Sequence, residues 1–176
     1  MVAVVGDAPV APFRAAPYIL PGGLTLSTMS PDEAAHFGTL CAAIDPWLGY
    51  PSSAAQLSAL FALKDPAAPR FTARLGGLLA AALAVRLDWM RGPYIHMLAV
   101  APPFQGRGIG SHLLTWIEDQ ARAAGDRNLW IAVTDFNTGA HRLYARHGFS
   151  EAARLDALVT EGRAEILMRK RLFPAA

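Results

Sequence analysis

A group of glycines is the first feature of this sequence whose residue types and spacing indicate chemistry. Gly106, Gly108 and Gly110 stand two residues apart, shortly after the apolar segment 94–100. Each glycine would cost a helix about 1 kcal/mol relative to alanine, so three of them predict a backbone that a ligand approaches closely. Since the free N–H groups at the start of a helix bind anions, the segment 105–111 is predicted to bind a phosphate group.

Two other phosphate-binding motifs do not match this segment. The spacing lacks the third glycine of a dinucleotide-binding fingerprint, and no Gly-Lys-Ser/Thr sequence follows for a P-loop. An ordinary tight turn without a ligand is the remaining alternative, although such a turn needs one permissive residue rather than three.

His96 is the side chain in the apolar segment that can move a proton. In a strand, alternation would put it on one face with Tyr94, Leu98 and Val100. An imidazole with an unperturbed pKa of about 6.5 can accept a proton near neutral pH. His96 is therefore the candidate base, and a hydrogen-bonded core histidine is the alternative.

The elements that must position these residues follow from hydrophobic periodicity and from turn and cap residues. Strands are predicted at 24–29, 71–75, 78–87, 94–100, 128–133, 151–158 and 165–171. Helices are predicted at 30–44, 53–63, 107–124 and 138–147. The strand, helix and strand between 94 and 133 predict a right-handed parallel crossover. Residues 1–23, rich in alanine and proline, are predicted to form a loose arm or an edge segment before one domain at 24–176.

Composition narrows the class of protein. A length of 176 residues fits one domain. The net charge of +2 comes from dispersed basic residues, so no nucleic-acid partner is expected. The one cysteine, Cys41, excludes an internal disulfide and a multi-cysteine zinc site. No apolar run approaches the ~20 residues of a membrane helix and no basic leader is present, so we expect no membrane partner and a cytoplasmic location.

No metal site is expected from the remaining histidines. They lack carboxylates at metal-ligand spacing, and solvated or capping roles suit them better. These residues are His36, His112, His141 and His147.

Two motifs carry a resemblance to a known family. Gln105-x-x-Gly108-x-Gly110 after a strand resembles the acyl-coenzyme A signature of the GNAT superfamily of N-acetyltransferases. Asn137-x-x-Ala140-x-x-Leu143-Tyr144-x-x-x-Gly148-Phe149 resembles the second cofactor segment of that superfamily. The resemblance covers about 24–171. It implies an α/β fold with a mixed, mostly antiparallel sheet, helices on both faces and splayed central parallel strands.

The resemblance implies acetyl-CoA as the acyl donor, with no metal ion. The backbone of Leu98 and Val100 is expected to pair with the pantetheine arm, and Arg107 to add charge near the pyrophosphate. Asn137 is expected beside the cofactor, although it is also placed to cap a helix. The pyrophosphate is expected on the backbone amides of Gln105, Gly106, Arg107, Gly108, Ile109, Gly110 and Ser111.

Tyr144 takes its expected role from the same resemblance, as the proton donor to the departing thiolate. The pKa of a phenol, about 10, lies within about two units of that of a thiol, so this transfer is only slightly uphill. The alternative is a core tyrosine whose hydroxyl is hydrogen-bonded. Arylalkylamine-type members of the superfamily carry histidines at position 96 and two residues earlier, where this chain has Tyr94, so their substrate class does not transfer directly.

The acceptor implied by the resemblance is a primary amine of a small molecule or peptide, which attacks directly in a ternary complex. Aromatic residues are expected to wall its pocket, with completion of the core as the alternative. They are Trp47, Tyr50, Phe61, Trp89 and Tyr94. A non-catalytic acyl-CoA-binding sensor is the alternative function, and a homodimer is left open.

Overall fold

The computed structural model of this chain describes residues 12–14 and 16–173. In these ranges the strands are β1 (Tyr18–Leu20), β2 (Leu24–Thr28), β3 (Arg70–Leu75), β4 (Leu78–Trp89), β5 (Gly92–Val100), β6 (Asn128–Thr134), β7 (Ser150–Asp156) and β8 (Ala164–Arg171). The α-helices are α1 (Pro31–Ala42), α2 (Ala54–Ala62), α3 (Ile109–Ala123) and α4 (Thr138–Arg146). The strands form one sheet in the order β1-β2-β3-β4-β5-β6-β8-β7.

One parallel pair interrupts an otherwise antiparallel sheet. β5 and β6 pair at Tyr94 with Trp130 and at Ile95 with Ile131, and residues 96–100 of β5 have no partner on β6. The two strands therefore separate towards their carboxyl ends. The predicted mixed, mostly antiparallel sheet with splayed central strands is confirmed.

Helices cover both faces of the sheet, as predicted. Ala82 and Ala84 of β4 belong to the core beneath α1 and α2, whereas Leu83 and Val85 belong to the core beneath α3. Since successive strand residues point to opposite faces, the two helix layers lie on opposite sides. No helix in the described ranges is long and apolar enough to cross a membrane.

A β-bulge at His96 breaks the alternation that the sequence predicted for β5. Val85 of β4 pairs with Ile95 and Ala84 pairs with Met97, so His96 is an extra residue on β5. Met97 consequently joins the core beneath α1 and α2, while Ile95 stays in the core beneath α3. The expectation that His96 continues the face of Leu98 and Val100 is wrong, because the extra residue shifts the alternation.

The sheet begins upstream of the predicted boundary at Leu24. β1 pairs antiparallel with β2, with Tyr18 opposite Leu26, and so forms an edge strand rather than a loose arm. Phe13 is buried and meets Trp116 edge to face, with 5.6 Å between the ring centroids. Residues 1–11 and 15 of the predicted arm lie outside the described residues, and the division into arm and domain stays a prediction.

Serine caps and one close helix contact position the segment between α1 and α2. The Ser30 hydroxyl accepts a hydrogen bond from the Glu33 N–H at 3.3 Å, and the Glu33 carboxylate accepts one from the Ser30 N–H at 2.7 Å. This is a capping box, and α2 begins with the same arrangement. A Cβ on Gly38 would lie 2.0 Å from the Ser58 Oγ, so α1 and α2 approach closely. The segment 43–53 connects these two packed helices.

Candidate active site

The gap between β5 and β6 opens into a cleft of about 860 Å³. Its walls come from β5, the turn after it, β6, α4, β8 and the segment after α1. Most residues predicted for cofactor binding line this cleft. They are Leu98, Val100, Gln105, Gly106, Gly108, Ile109, Gly110, Ser111, Asn137 and Tyr144.

The carboxyl-terminal half of β5 presents an open edge to the cleft. The Ala101 N–H donates to the Ala80 carbonyl of β4 at 2.9 Å. Because the polar groups of successive strand residues point to opposite neighbours, those of Leu98 and Val100 point away from β4 and towards the gap. The Gln105 side chain donates to the Val100 carbonyl at 3.0 Å. The N–H groups of Leu98 and Val100 are thus oriented towards an extended ligand in the cleft.

The glycine turn continues from that edge into α3. Gly106 and Gly108 have φ values of 74° and 77°, a conformation that favours glycine. Gly108 caps α3, and the first N–H directed back along the helix is that of His112, which donates to the Gly108 carbonyl at 3.0 Å. The N–H groups of Ile109, Gly110 and Ser111 precede this bond and point out of the helix end. The turn therefore has the backbone arrangement of an anion site.

Gly110 has a second, structural role, and the Arg107 side chain lies outside the cleft. A Cβ on Gly110 would lie 3.2 Å from the Leu143 side chain, so this glycine also allows close packing of α3 on α4. Arg107 is exposed, does not line the cleft, and its guanidinium stacks 5.5 Å from the Phe104 ring centroid. The arginine that lines the cleft is Arg146, in the last turn of α4.

Tyr144 lies inside the cleft on α4 and is 6% exposed. Burial, with a smaller effect of Tyr94, raises the pKa of its hydroxyl, so Tyr144 stays protonated at neutral pH. The start of α4 is fixed by Asn137, whose side-chain oxygen accepts a hydrogen bond from the Ala140 N–H at 3.1 Å. Asn137 thus caps the helix and lines the cleft.

His96 lies at the bulge and is exposed to the cleft. Its ring centroid is 5.9 Å from that of Tyr94. The cleft walls remove part of its water, and this effect, followed by the positive charges of Arg70 and Arg86, lowers the pKa of His96. The imidazole is therefore neutral near pH 7 and stands in a cationic environment.

The predicted acceptor-pocket residues divide into two groups. Trp47, Tyr50 and Tyr94 line the cleft. Phe61 does not, because the face of α2 that carries it packs towards α1; it is 1% exposed, and its ring lies 6.3 Å from that of Phe37. Trp89 stacks on Tyr94 at 5.1 Å between centroids, behind the cleft wall.

Glu165 is a cleft residue that the sequence interpretation missed. It lies on β8 opposite Thr134 of β6, and its carboxylate accepts a hydrogen bond from the Tyr50 hydroxyl. Burial raises the pKa of Glu165; the bond from Tyr50 lowers it, and Asp135 raises it again. Burial and the same bond raise the pKa of Tyr50 to about 12. The available sequence signal was that Glu165 is the one acidic residue of the predicted strand 165–171.

The model of the acetyltransferase (GNAT) family matches residues 37–149. The chain belongs to this family. The matched range contains both the glycine turn and α4 with Tyr144, so the resemblance seen in the two motifs is confirmed.

Relatives in the GNAT family match parts of the chain. The aminoalkylphosphonate N-acetyltransferase of Salmonella typhimurium is 40% identical over 58 residues, which cover 33% of this chain and 38% of that protein. The chain spans about two fifths of the length of the first curated relatives it matches, 38% and 40% for two of them.

Two solved structures share the fold over most of their length. The ribosomal-protein-S18-alanine N-acetyltransferase from Escherichia coli superposes with a TM-score of 0.71 at 20% identity, covering 87% of this chain and 96% of that one. An aminoglycoside 6'-N-acetyltransferase complexed with coenzyme A gives a TM-score of 0.68 at 16% identity, covering 86% and 98%. At these identities the likeness shows the GNAT fold alone.

Proposed function

We propose that the protein is an N-acetyltransferase that moves the acetyl group of acetyl-CoA to a primary amine of a small molecule or peptide. The amine attacks directly while both substrates are bound. One observation carries this proposal: the open edge of β5, the glycine turn and the buried Tyr144 line a single cleft. The relatives include N-acetyltransferases of aminoalkylphosphonates and of ribosomal protein bS18, which supports the same class of reaction.

The residues of the cleft fit coenzyme A. The exposed edge at Leu98 and Val100 suits the amide groups of a pantetheine arm. An added Cβ on Gly106 or Gly108 would meet nothing within 4 Å, so the turn is open for a pyrophosphate, and Arg146 lines the same cleft. Bound acetyl-CoA supplies the acetyl group as a thioester. The predicted contribution of Arg107 is the weakest, because its guanidinium lies outside the cleft.

The chain's own residues then divide the work of the transfer. The N–H groups of Leu98 and Val100 stabilise the negative charge that develops on the acetyl oxygen. Tyr144, whose hydroxyl is protonated at neutral pH, donates a proton to the departing sulfur. Burial raises the pKa of this hydroxyl and makes the transfer more uphill than the unperturbed pKa values imply. Two groups of the cleft can take the proton of the amine, His96 and Glu165. The cytoplasmic location and the choice between monomer and homodimer stay predictions from the sequence.

Two measurements on the purified protein test this function. Calorimetric titration with coenzyme A should show saturable binding at one site per chain. Thiol release from acetyl-CoA should depend on an added primary amine and follow its concentration. A protein that does not bind coenzyme A in this titration would contradict the proposal. Binding without turnover across a broad amine panel would favour the acyl-CoA sensor instead.

A further inference from the structure

A buried carboxylate at the acceptor end of the cleft lacks a cationic partner. Glu165 is 8% exposed and lines the cleft, and its described contact is the hydrogen bond from Tyr50. Among residues 12–14 and 16–173, no lysine, arginine or histidine forms an ion pair with it. Buried charges in proteins are normally paired, so this carboxylate is arranged for a cation from outside the chain.

Asp135 adds negative charge to the surroundings of Glu165, while burial and this charge raise the pKa of the Glu165 carboxyl. Asp135, which follows β6, lies near enough to raise the pKa of Glu165, and its own charge is paired with Arg154 of β7 at 3.3 Å. Tyr50 and Tyr94 are the titratable neighbours from the segment after α1 and from β5, and the charge of Glu165 contributes to the raised pKa of Tyr94. The neighbours of the unpaired carboxylate are thus two tyrosine hydroxyls and an aspartate that forms its own ion pair with Arg154.

His96 stands in the opposite electrostatic environment. The positive charges of Arg70 and Arg86 act on its ring and disfavour a second cation beside it. The charges near His96 therefore oppose an ammonium ion beside its ring, whereas the carboxylate of Glu165 favours one. The two candidate proton acceptors thus differ in the charges around them, positive near His96 and negative near Glu165.

We propose that Glu165, held in place by Tyr50, binds the acceptor as a primary ammonium ion and takes its proton. The inference rests on the proposed acetyl transfer and names the substrate class of that reaction. The same cleft is lined by apolar side chains, so the cation is carried on an apolar or aromatic body rather than on a polyamine. These side chains are Trp47, Leu57, Leu60, Leu158 and Val159.

The protons balance in this arrangement. Glu165 accepts one proton from the ammonium and becomes a neutral carboxylic acid. The freed amine nitrogen forms a bond to the acetyl carbon while the carbon–sulfur bond breaks, and Tyr144 gives its proton to the sulfur. The acetylated nitrogen loses its second proton, which restores Tyr144, and Glu165 releases its proton to solvent. The net products are an N-acetyl amide, a thiol and one proton.

A matched pair of probes tests the site without knowledge of the natural acceptor. 2-Phenylethylammonium and the neutral 2-phenylethanol have the same size and differ in charge. In calorimetric titrations of the wild-type protein with coenzyme A present, the ammonium probe should bind at least tenfold more tightly than the alcohol. Glu165→Gln should abolish that preference while its affinity for coenzyme A stays within about twofold. Glu161→Gln, an exposed glutamate in the turn before β8, is the control and should keep the preference.

Further outcomes separate this inference from the proposed function. If Glu165→Gln does not fold, Tyr50→Phe replaces it and should reduce the preference at least threefold. An unchanged preference in the folded variant overturns the site, and so does a wild-type protein that binds coenzyme A but neither probe. In both cases coenzyme A binding and amine-dependent thiol release would leave acetyl transfer standing. Loss of those two activities in the wild type would instead contradict the proposed function.

Discussion

Gly92 at the start of β5 lies against Asn128 at the start of β6, so closely that a Cβ on Gly92 would sit 1.9 Å from the Asn128 carbonyl oxygen. This contact joins the two parallel strands at the end where they are closest. Asn128 is itself held there, because its side chain accepts a hydrogen bond from Arg169 of β8 at 2.7 Å. The atom that an added methyl group would meet is therefore backbone of a residue whose side chain is anchored to β8.

Gly92→Ala should destabilise the protein by about 2–3 kcal/mol, because the methyl group must displace backbone rather than a mobile side chain. Urea unfolding followed by circular dichroism measures the change. Gly139→Ala in α4 is the control, since its added Cβ would meet no atom closer than 3.9 Å, and alanine favours a helix. Equal stability of the two variants would show that β5 can shift away from β6.

Gly108→Ala should weaken coenzyme A binding at least tenfold, because the methyl group enters the turn where the helix amides face the cleft. Gly125→Ala at the other end of α3 is a matched control. The two glycines have φ values of 77° and 78°, and an added Cβ meets nothing within 4 Å at either. Both variants should lose similar stability in thermal unfolding. If both also bound coenzyme A more weakly to the same extent, the loss of affinity would come from backbone strain rather than from the methyl group in the turn.

Tyr144→Phe should lower kcat by about 10²-fold or more, the usual contribution of a positioned acid. Its affinity for coenzyme A should stay within about threefold, because the ring and its packing on Phe149 remain. Steady-state thiol release and calorimetry give the two values. A variant with unchanged kcat would make Tyr144 a core residue, the alternative that the sequence left open.

The pH dependence of kcat/KM should distinguish His96 from Glu165. Glu165 takes a proton only when it is ionised, and burial raises its pKa, so the rate should fall as the pH falls through that raised value. This acidic limb should persist in His96→Gln and disappear in Glu165→Gln. Rates measured between about pH 5 and about pH 9 would show it. Loss of the limb in His96→Gln would return the role of base to the histidine.

Cys41 should not react with iodoacetamide in the native protein at pH 8. Its side chain is fully buried on α1, and burial raises the pKa of the thiol to about 12, so the thiolate is scarce and inaccessible. Mass spectrometry after a brief incubation measures the label. The same protein in guanidinium chloride should label completely, and rapid native labelling would mean that α1 opens locally.

Local patterns explain why much of the fold was predictable. The capping box at Ser30 and the glycine turn at 106–110 act over a few residues, so their elements could be assigned from neighbouring letters. The sequence predicts the start of α3 at 107, whereas the helix begins at Ile109, because Gly108 adopts a positive φ and caps it.

The parts that were missed depend on distant partners. The bulge at His96 is defined by the register of β5 against β4, and the residues of β5 alone do not predict it. Glu165 enters the cleft through contact with Tyr50, which lies 115 positions earlier in the chain. An aromatic residue such as Phe61 is typical of a pocket wall. Its side chain instead packs against Phe37 of α1, and this contact could not be read from the sequence.

β5 and β6 pair at only two positions, Tyr94 and Ile95, so the sheet consists of two halves with a short parallel pairing between them. A ligand lying along Leu98 and Val100 would act as the missing strand and tie the halves together. Amide hydrogen exchange should therefore slow on both sides of the gap when coenzyme A binds, including at β6 residues that the ligand does not touch. The two halves of the sheet would then be hydrogen-bonded across the gap only when the ligand is bound.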